Sequence, residues 1–539
     1  MGAILIASPP SSPTLGHHAM TSQRRYRPTL PTLAFVAFHI ALFAYYRHNW
    51  KSSSLQVNNF TPRPAEVPPR LDNLRSSDPT LTLSSSLPSL ATTSCEVCHL
   101  DPSNPLCEYG LDAIRMSRAY EGSGARLRRV LQKALRGEEI TVGVLGASVT
   151  QGHSLGPGEE RWQDKWFRDF QTLFPKSKMV TGAVGAMDSR FFAYCFEALV
   201  PKDLDIYIVE VDINNSPALE QLRDDDAFMR ALLQLPQEPA VLRVSTFALL
   251  FPELARGIIS GLATSQFHDI PMVGIRNFLL PHTIHHREAA EQIFALDAWG
   301  NRDYRHISKI GHAALGDMLS LYMRKEVCET QRRQVLPPAP PVPKTGPWPL
   351  EEDLGKIVPL ALWSSWTQPK NLDPVTPLCQ TAFSPLSPLK PISHSSTFSL
   401  HEWNGKAAWA ASLPGSQIRF RFVGTKVGLF VWATNGVSAE EQSADAKKRR
   451  ETGPGKAMCW VEDGEMSDEE WAKAYGETGQ PEPQSYLVNS HWPEKVAAGP
   501  EFVELAEGLH PGEHVLACEV SRETTSGGYK WRVMGIASQ

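Results

Sequence analysis

The sequence predicts an α/β domain with a mostly parallel sheet over residues 94–330, followed by an antiparallel β-sandwich over 361–539. Three observations predict it. Buried-type strands alternate with amphipathic helices through the first part, the pattern of a parallel sheet covered on both faces by right-handed crossovers. A proline-rich stretch around Pro337-Pro338-Ala339-Pro340-Pro341 then interrupts the chain, which sets an extended linker at 331–360. Beyond it the texture changes to short strands divided by glycine-rich turns. At 539 residues the chain has room for several domains.

Residues 1–28 are polar and carry Arg24, Arg25 and Arg27, which reads as a cytosolic tail. The run from Leu30 to Tyr46 is apolar apart from Pro31, Thr32 and His39. Its length is at the lower end of the roughly 17–25 residues that span a bilayer. It predicts a transmembrane signal anchor over 29–47. A cleaved signal peptide is the competing reading, but no clear small-x-small site follows. Residues 48–93 are Ser-, Pro-, Thr- and Asn-rich with little to bury, as in a disordered stem. They hold the glycosylation sequon Asn59-Phe60-Thr61, usable on the lumenal side. Anchor, stem and cysteine-bearing domain together predict a single-pass membrane protein of the secretory pathway, in the Golgi or ER, with lumenal globular domains.

The eight cysteines fit disulfides in an oxidising compartment, although sequence alone leaves the pairing open. Cys95-x-x-Cys98-His99 with Cys107 also suits a zinc or redox site, but no second CxxC completes a zinc pattern. Local disulfides are the expectation there. The net charge of −5 argues against a nucleic-acid partner.

Within the α/β part, Gly124–Leu135 places Leu127, Val130, Leu131 and Leu135 on one helical stripe. The strand Ile140–Leu145 ends at Gly146-Ala147-Ser148, and a polar loop with Gly152, Gly156 and Gly158 follows. That loop lacks the Gly-Lys-Ser/Thr of a phosphate-binding loop, and nothing in the sequence points to a nucleotide or other cofactor. Lys165–Phe174 is a helix and Met179–Ala186 a strand running into a turn. Ile206–Ile213 is a buried strand ending at Asn214-Asn215; Glu220–Leu235 is a helix and Ala240–Leu249 a strand. Pro271–Leu280 reads as a further strand, and Ile307–Val327 as the closing helix. In the second part, Ile418–Val423, Val427–Trp432, Met458–Val461, Val515–Val520 and Tyr529–Ile536 read as strands. The run Lys447-Lys448-Arg449-Arg450 reads as a solvated loop. Trp403, Trp409, Trp492 and Trp531 are candidates to stack on sugars, with core packing the commoner use of such residues.

Serine becomes a nucleophile when an oriented base takes its proton. Ser148 stands at the carboxyl end of a strand, where open α/β sheets bind ligands. Asp303-x-x-His306 supplies a carboxylate and an imidazole three residues apart, on a loop or helix start. Asn214 ends another strand with an amide able to donate to an oxyanion, and backbone amides of the Gly182–Ala186 turn are further donors. His282, His285 and His286 have metal-like spacing but lack an obvious carboxylate other than Glu288.

Together these blocks resemble the SGNH (GDSL-like) hydrolase family, in the family's order within Ile140–Val327. Gly146-Ala147-Ser148 stands at the Gly-Asp-Ser block, Gly182–Gly185 at the oxyanion-glycine block, Glu210–Asn215 at the Asn-Asp block, and Asp303-x-x-His306 with Gly311 at the Asp-x-x-His block. Ala147 and Asn215 replace the family's usual aspartates. The resemblance implies a flavodoxin-like parallel sheet, Ser148 as nucleophile, His306 as base, Asp303 as its orienter, and Asn214 with Gly185 (over Gly182) in the oxyanion hole. No metal is implied. The C-terminal sandwich loosely resembles one attached to some carbohydrate esterases. The implied activity is removal of acyl groups, O-acetyl foremost, from a glycan through an acyl-enzyme. Transfer of the acyl group to a sugar hydroxyl by the same triad, and a catalytically silent glycan-binding protein, are the alternatives.

Overall fold

The computed structural model describes residues 94–251, 254, 258–336, 347, 349–367, 377–438, 440–463, 485–494 and 498–539, all within one compact unit. The predicted tail, anchor and stem with its sequon lie outside the described residues, as does the proline-rich centre of the linker. Among the described residues no helix is long and apolar enough to cross a membrane.

The first sheet has six strands: β1 (Arg118–Tyr120), β2 (Thr141–Gly146), β3 (Lys178–Ala183), β4 (Ile206–Glu210), β5 (Ala240–Ser245) and β6 (Met272–Gly274). Their order is β1-β6-β5-β4-β2-β3, with β2 to β6 parallel and β1 antiparallel at one edge. Without β1, the order is the flavodoxin-like one that the sequence predicts, and it reverses between β2 and β4. The central strands are apolar because both faces are covered: Val142, Val144, Ile206 and Ile208 are fully buried.

Local departures from expectation have local causes. Pro271–Leu280 is a strand only over Met272–Gly274; a helix, Arg276–His285, takes up the rest. Strand β4 ends at Glu210, since Asn214 and Asn215 close turns onto Val211 and Asp212. The closing helix starts at Lys309, capped by Ser308, and runs to Val335, into the predicted linker. Asp303 and His306 precede it on a strand, β8 (Arg302–Ile307), paired with β7 (Phe294–Leu296).

The second part is a sandwich of two antiparallel sheets. One orders Ser393–His394, Gln417–Val423, Glu513–Val520, Lys456–Asp463 and Ser485–Asn489; the other orders Ser399–Trp403, Lys406–Ala411, Trp531–Ser538, Lys426–Ala433 and Gly499–Glu507, with Leu378–Thr381 also paired to Trp531–Ser538. Inward alternation fills the space between them with Phe420, Leu429, Val431, Leu516 and Val533. The basic run lies in an exposed helix, Ala446–Thr452. Trp531 is fully buried, and Trp409 and Trp492 donate their indole N–H groups to the Leu389 and Asn489 carbonyls at 3.1 and 2.8 Å.

The two parts share a core. Phe191 and Phe192 of the first pack with Phe430, Trp432 and Met534 of the second, and the Phe191 and Phe430 rings meet edge-on at 5.2 Å. All eight cysteines are paired: Cys95–Cys328, Cys98–Cys107, Cys195–Cys379 and Cys459–Cys518. The local pairing expected near the N-terminal CxxC holds for Cys98 and Cys107, whereas Cys95 reaches across to the closing helix. Cys195–Cys379 links the two parts.

Candidate active site

Ser148 is presented by a break in β2. After Gly146 the chain turns at Ala147, whose N–H bonds to the Glu210 carbonyl at 3.0 Å, and one helical turn, Ser148–Gln151, begins. A side chain at Gly146 would collide with that of Thr150, so the turn requires glycine there. Below it, Glu210 accepts from the Thr150 hydroxyl at 2.8 Å and from its N–H at 3.2 Å. Burial raises the Glu210 carboxyl to about 8 against the lowering of those bonds, so it is protonated at neutral pH.

The Ser148 Oγ lies 2.9 Å from His306 Nε2, and His306 Nδ1 lies 2.5 Å from Asp303 Oδ2. In a regular strand, residues three apart point to opposite faces. Here the β7–β8 pairing jumps from Phe294–Ile307 to Ala295–Asp303, leaving Tyr304–His306 bulged out of register. The bulge turns Asp303 and His306 toward each other. Asp303 Oδ1 also accepts the Arg305 N–H at 3.0 Å, and Ser154 Oγ is 3.4 Å from Oδ2. Burial acts upward on the Asp303 carboxyl, but the hydrogen bond and charge of His306 outweigh it and hold it at about 2.

The turn after β3 brings Gly185 beside Ser148: a Cβ on Gly185 would lie 3.5 Å from Ser148 Cβ. Gly182 sits within β3 against Leu199 and Val200, so the ambiguity between the two glycines resolves in position to Gly185. The Gly185 N–H donates to Gln151 Oε1 at 3.1 Å. The next residue, Ala186, is held at φ +69°, a left-handed conformation costly for a residue with a Cβ. Asn214 lines the same cleft and ties its amide to the Met187 carbonyl at 2.7 Å, bracing the turn. Asn215 points elsewhere, bonded to Ser189 and Asp225. Thus Ser148, His306, Gly185 and Asn214 all come to one cleft of about 520 Å³, with Asp303 behind His306.

Several residues of the cleft were not legible in the sequence. His153 packs its ring on His306 at 4.3 Å, and it forms with His306 and Asp303 the group of potential metal ligands among the described residues. His306 Nδ1 and Asp303 Oδ2 already face each other in a hydrogen bond. His282, His285 and His286 are exposed, and only His286 approaches Glu288, at 3.5 Å. The sandwich also enters the cleft through Asn404 and Lys406. Asn-Gly between two strands signals a two-residue hairpin, but nothing in the sequence says where its tip points. Beneath the floor, Arg243 pairs with Asp212 at 2.5 Å and Asp225 at 2.8 Å, all three fully buried.

No protein-family model and no curated protein sequence matches the chain. Solved structures do. A two-domain esterase (CEX) active on acetylated mannans superposes with a TM-score of 0.51 at 16% identity, over 79% of this chain and 98% of that one. The same kind of esterase co-crystallised with mannopentaose gives 0.51 at 14% identity, over 79% and 97%. The acetyl xylan esterase AlAXEase matches 33% of this chain and 97% of its own, at 18% identity and a TM-score of 0.28. The likeness to the two-domain esterase is one of fold: this chain shares its two-domain architecture, here an α/β domain joined to a C-terminal β-sandwich.

Proposed function

We propose that the chain is a serine esterase that removes acyl groups, O-acetyl foremost, from a glycan. The observation that carries this reading is the continuous hydrogen-bonded chain Asp303–His306–Ser148, with spacings of 2.5 and 2.9 Å, opening on a cleft. In the mechanism, Ser148 Oγ attacks the ester carbonyl while His306 Nε2 takes its proton, and Asp303 fixes the imidazole tautomer. The Gly185 N–H, exchanging its Gln151 acceptor for the substrate oxygen, and the Asn214 amide stabilise the oxyanion. Collapse releases the sugar hydroxyl with the proton from His306, and water then clears the acyl-enzyme by the same route.

The glycan part of the reading is supported by the fold shared with an esterase active on acetylated mannans. Four disulfides support a protein that matures in an oxidising compartment, as the secretory pathway is. The test is a fluorophosphonate label and acetate release from acetylated polysaccharide. Wild type takes one label, at Ser148, and releases acetate; Ser148→Ala does neither while melting like wild type. An unaltered rate in Ser148→Ala overturns the assignment.

A further inference from the structure

The tip of one sandwich hairpin reaches the nucleophile. Strands Ser399–Trp403 and Lys406–Ala411 pair antiparallel, with Trp403 opposite Lys406, so Asn404 and Gly405 alone form the turn. Both have positive φ, +45° and +70°, as a two-residue turn of this hand requires. The turn is pressed onto Gln151: the Gln151 Nε2 donates to the Asn404 carbonyl at 3.3 Å, and a Cβ on Gly405 would strike that same Nε2. Gln151 is three residues past Ser148, so the hairpin's position is set from the nucleophile's own helical turn.

The next residue, Lys406, is 8% exposed. Among the described residues no carboxylate lies within ion-pair distance of it; its ammonium has the Asn404 carbonyl at 3.5 Å and the Trp432 ring at 5.8 Å. A buried ammonium with so few partners is costly for the fold alone, and burial lowers its pKa accordingly. Its position is informative. The point where a Cβ on Gly185 would project lies 3.2 Å from Lys406 Nζ, 3.5 Å from Ser148 Cβ and 2.9 Å from Gln151 Oε1. A cation without a carboxylate partner among the described residues, an occupied backbone donor and the nucleophile thus converge on one small volume.

We propose that Lys406 is a catalytic residue contributed by the sandwich, donating to the acyl oxygen of the substrate as that oxygen becomes an oxyanion. This rests on the esterase reading. When Ser148 Oγ bonds to the acyl carbon, the carbonyl π pair moves onto oxygen and the serine proton passes to His306. Lys406 keeps its proton and offers an N–H to the new charge. When the carbonyl re-forms, the sugar oxygen leaves with the proton held by His306, and Lys406 is unchanged. A charge placed where water is largely excluded acts with far more than its strength in solution. The role also accounts for a nucleophile domain that does not stand apart from its sandwich.

The test uses p-nitrophenyl acetate, which has an acyl oxygen and no sugar. For Lys406→Met the expected result is a loss of about 100-fold in kcat with KM within about threefold, the signature of a bond made in the transition state. Because every native cysteine is paired, Lys406→Cys introduces a single free thiol. Alkylation with 2-bromoethylamine rebuilds an amine of nearly the same length and is expected to restore at least tenfold of the lost rate. A Lys406→Met rate within twofold of wild type, a change confined to KM, or an aminoethylated protein no faster than its unmodified form overturns the proposal while leaving the esterase standing. A wild-type protein that neither cleaves the ester nor takes the Ser148 label overturns the esterase reading, and this proposal with it.

Discussion

Asp303 Oδ2 and His306 Nδ1 lie 2.5 Å apart on a single strand, joined across a bulge and not across a helix turn. The contact gives the imidazole one tautomer, with Nε2 unprotonated toward Ser148. Asparagine at 303 would present an N–H to Nδ1 and reverse that tautomer. Asp303→Asn is therefore expected to lower kcat by about 10⁴-fold with circular dichroism unchanged. The same pairing has a stability signature. The folded carboxyl is held at about 2, below its ordinary value, so it stabilises the fold fully above the ordinary carboxylate range and loses this as pH falls through about 2. Urea titrations should show wild type losing stability relative to Asp303→Asn between about pH 4 and pH 2.

Glu210 behaves in the opposite sense. Its burial raises the folded pKa to about 8, while the unfolded chain ionises in the ordinary range near 4.5. Stability must then fall as pH rises from there to about 8, because the unfolded state sheds its proton first. Glu210→Gln keeps an acceptor for Thr150 and cannot ionise. It is expected to match wild type below pH 4 and to exceed it by about 2–4 kcal/mol at pH 8, read by thermal or urea unfolding at the two pH values.

How much of this was legible follows from where the information lies. The strand-then-glycine signal at Ile140–Gly146 and the run Ile206–Ile213 are local patterns, and a strand forms in each, the second stopping at Glu210 where turns begin. Ser148, Asp303, His306 and Asn214 could be picked out because their chemistry is distinctive in short windows. The bulge that joins Asp303 to His306 could not be, since it depends on the register against Phe294–Leu296. Lys406 was invisible for a stronger reason: it lies 258 positions beyond Ser148, on a mostly buried strand of the other part, and only the packing of the two parts brings it near. Pro271–Leu280 reads as one strand because the apolar residues of a short buried strand and of the following helix are separated only by Arg276 and Asn277.

The floor of the site depends on a buried charge network. Arg243 on β5 joins Asp212, just after β4, to Asp225 on the helix Leu219–Leu233. Asp225 in turn accepts from Ser189 and Asn215. Arg243→Met would leave two carboxylates buried without their cation. The expected cost is about 3–5 kcal/mol, visible as a lowered melting temperature. A double variant, Arg243→Met with Asp212→Asn, should recover part of the loss, as coupled residues do.

The shared core makes a final prediction about how the chain can be divided. Phe191 and Phe192 lie on a helix that ends at Cys195 and belong to one core cluster with Phe430 and Met534 of the sandwich, with Phe191 in ring contact with Phe430. The bond from Cys195 to Cys379 closes a loop of 184 residues across the same boundary. Cutting the chain in the linker would expose that aromatic face, and apolar patches of this kind drive aggregation. A protein ending at residue 336 is therefore expected to be insoluble or to bind a hydrophobic dye strongly. The milder change, Cys195→Ala with Cys379→Ala, keeps the packing and loses the tether. Its expected cost is about 2–5 kcal/mol of unfolding free energy, with the esterase rate retained at temperatures where the variant stays folded. If that variant instead lost activity while folded, the tether itself would be holding the sandwich hairpin against Gln151.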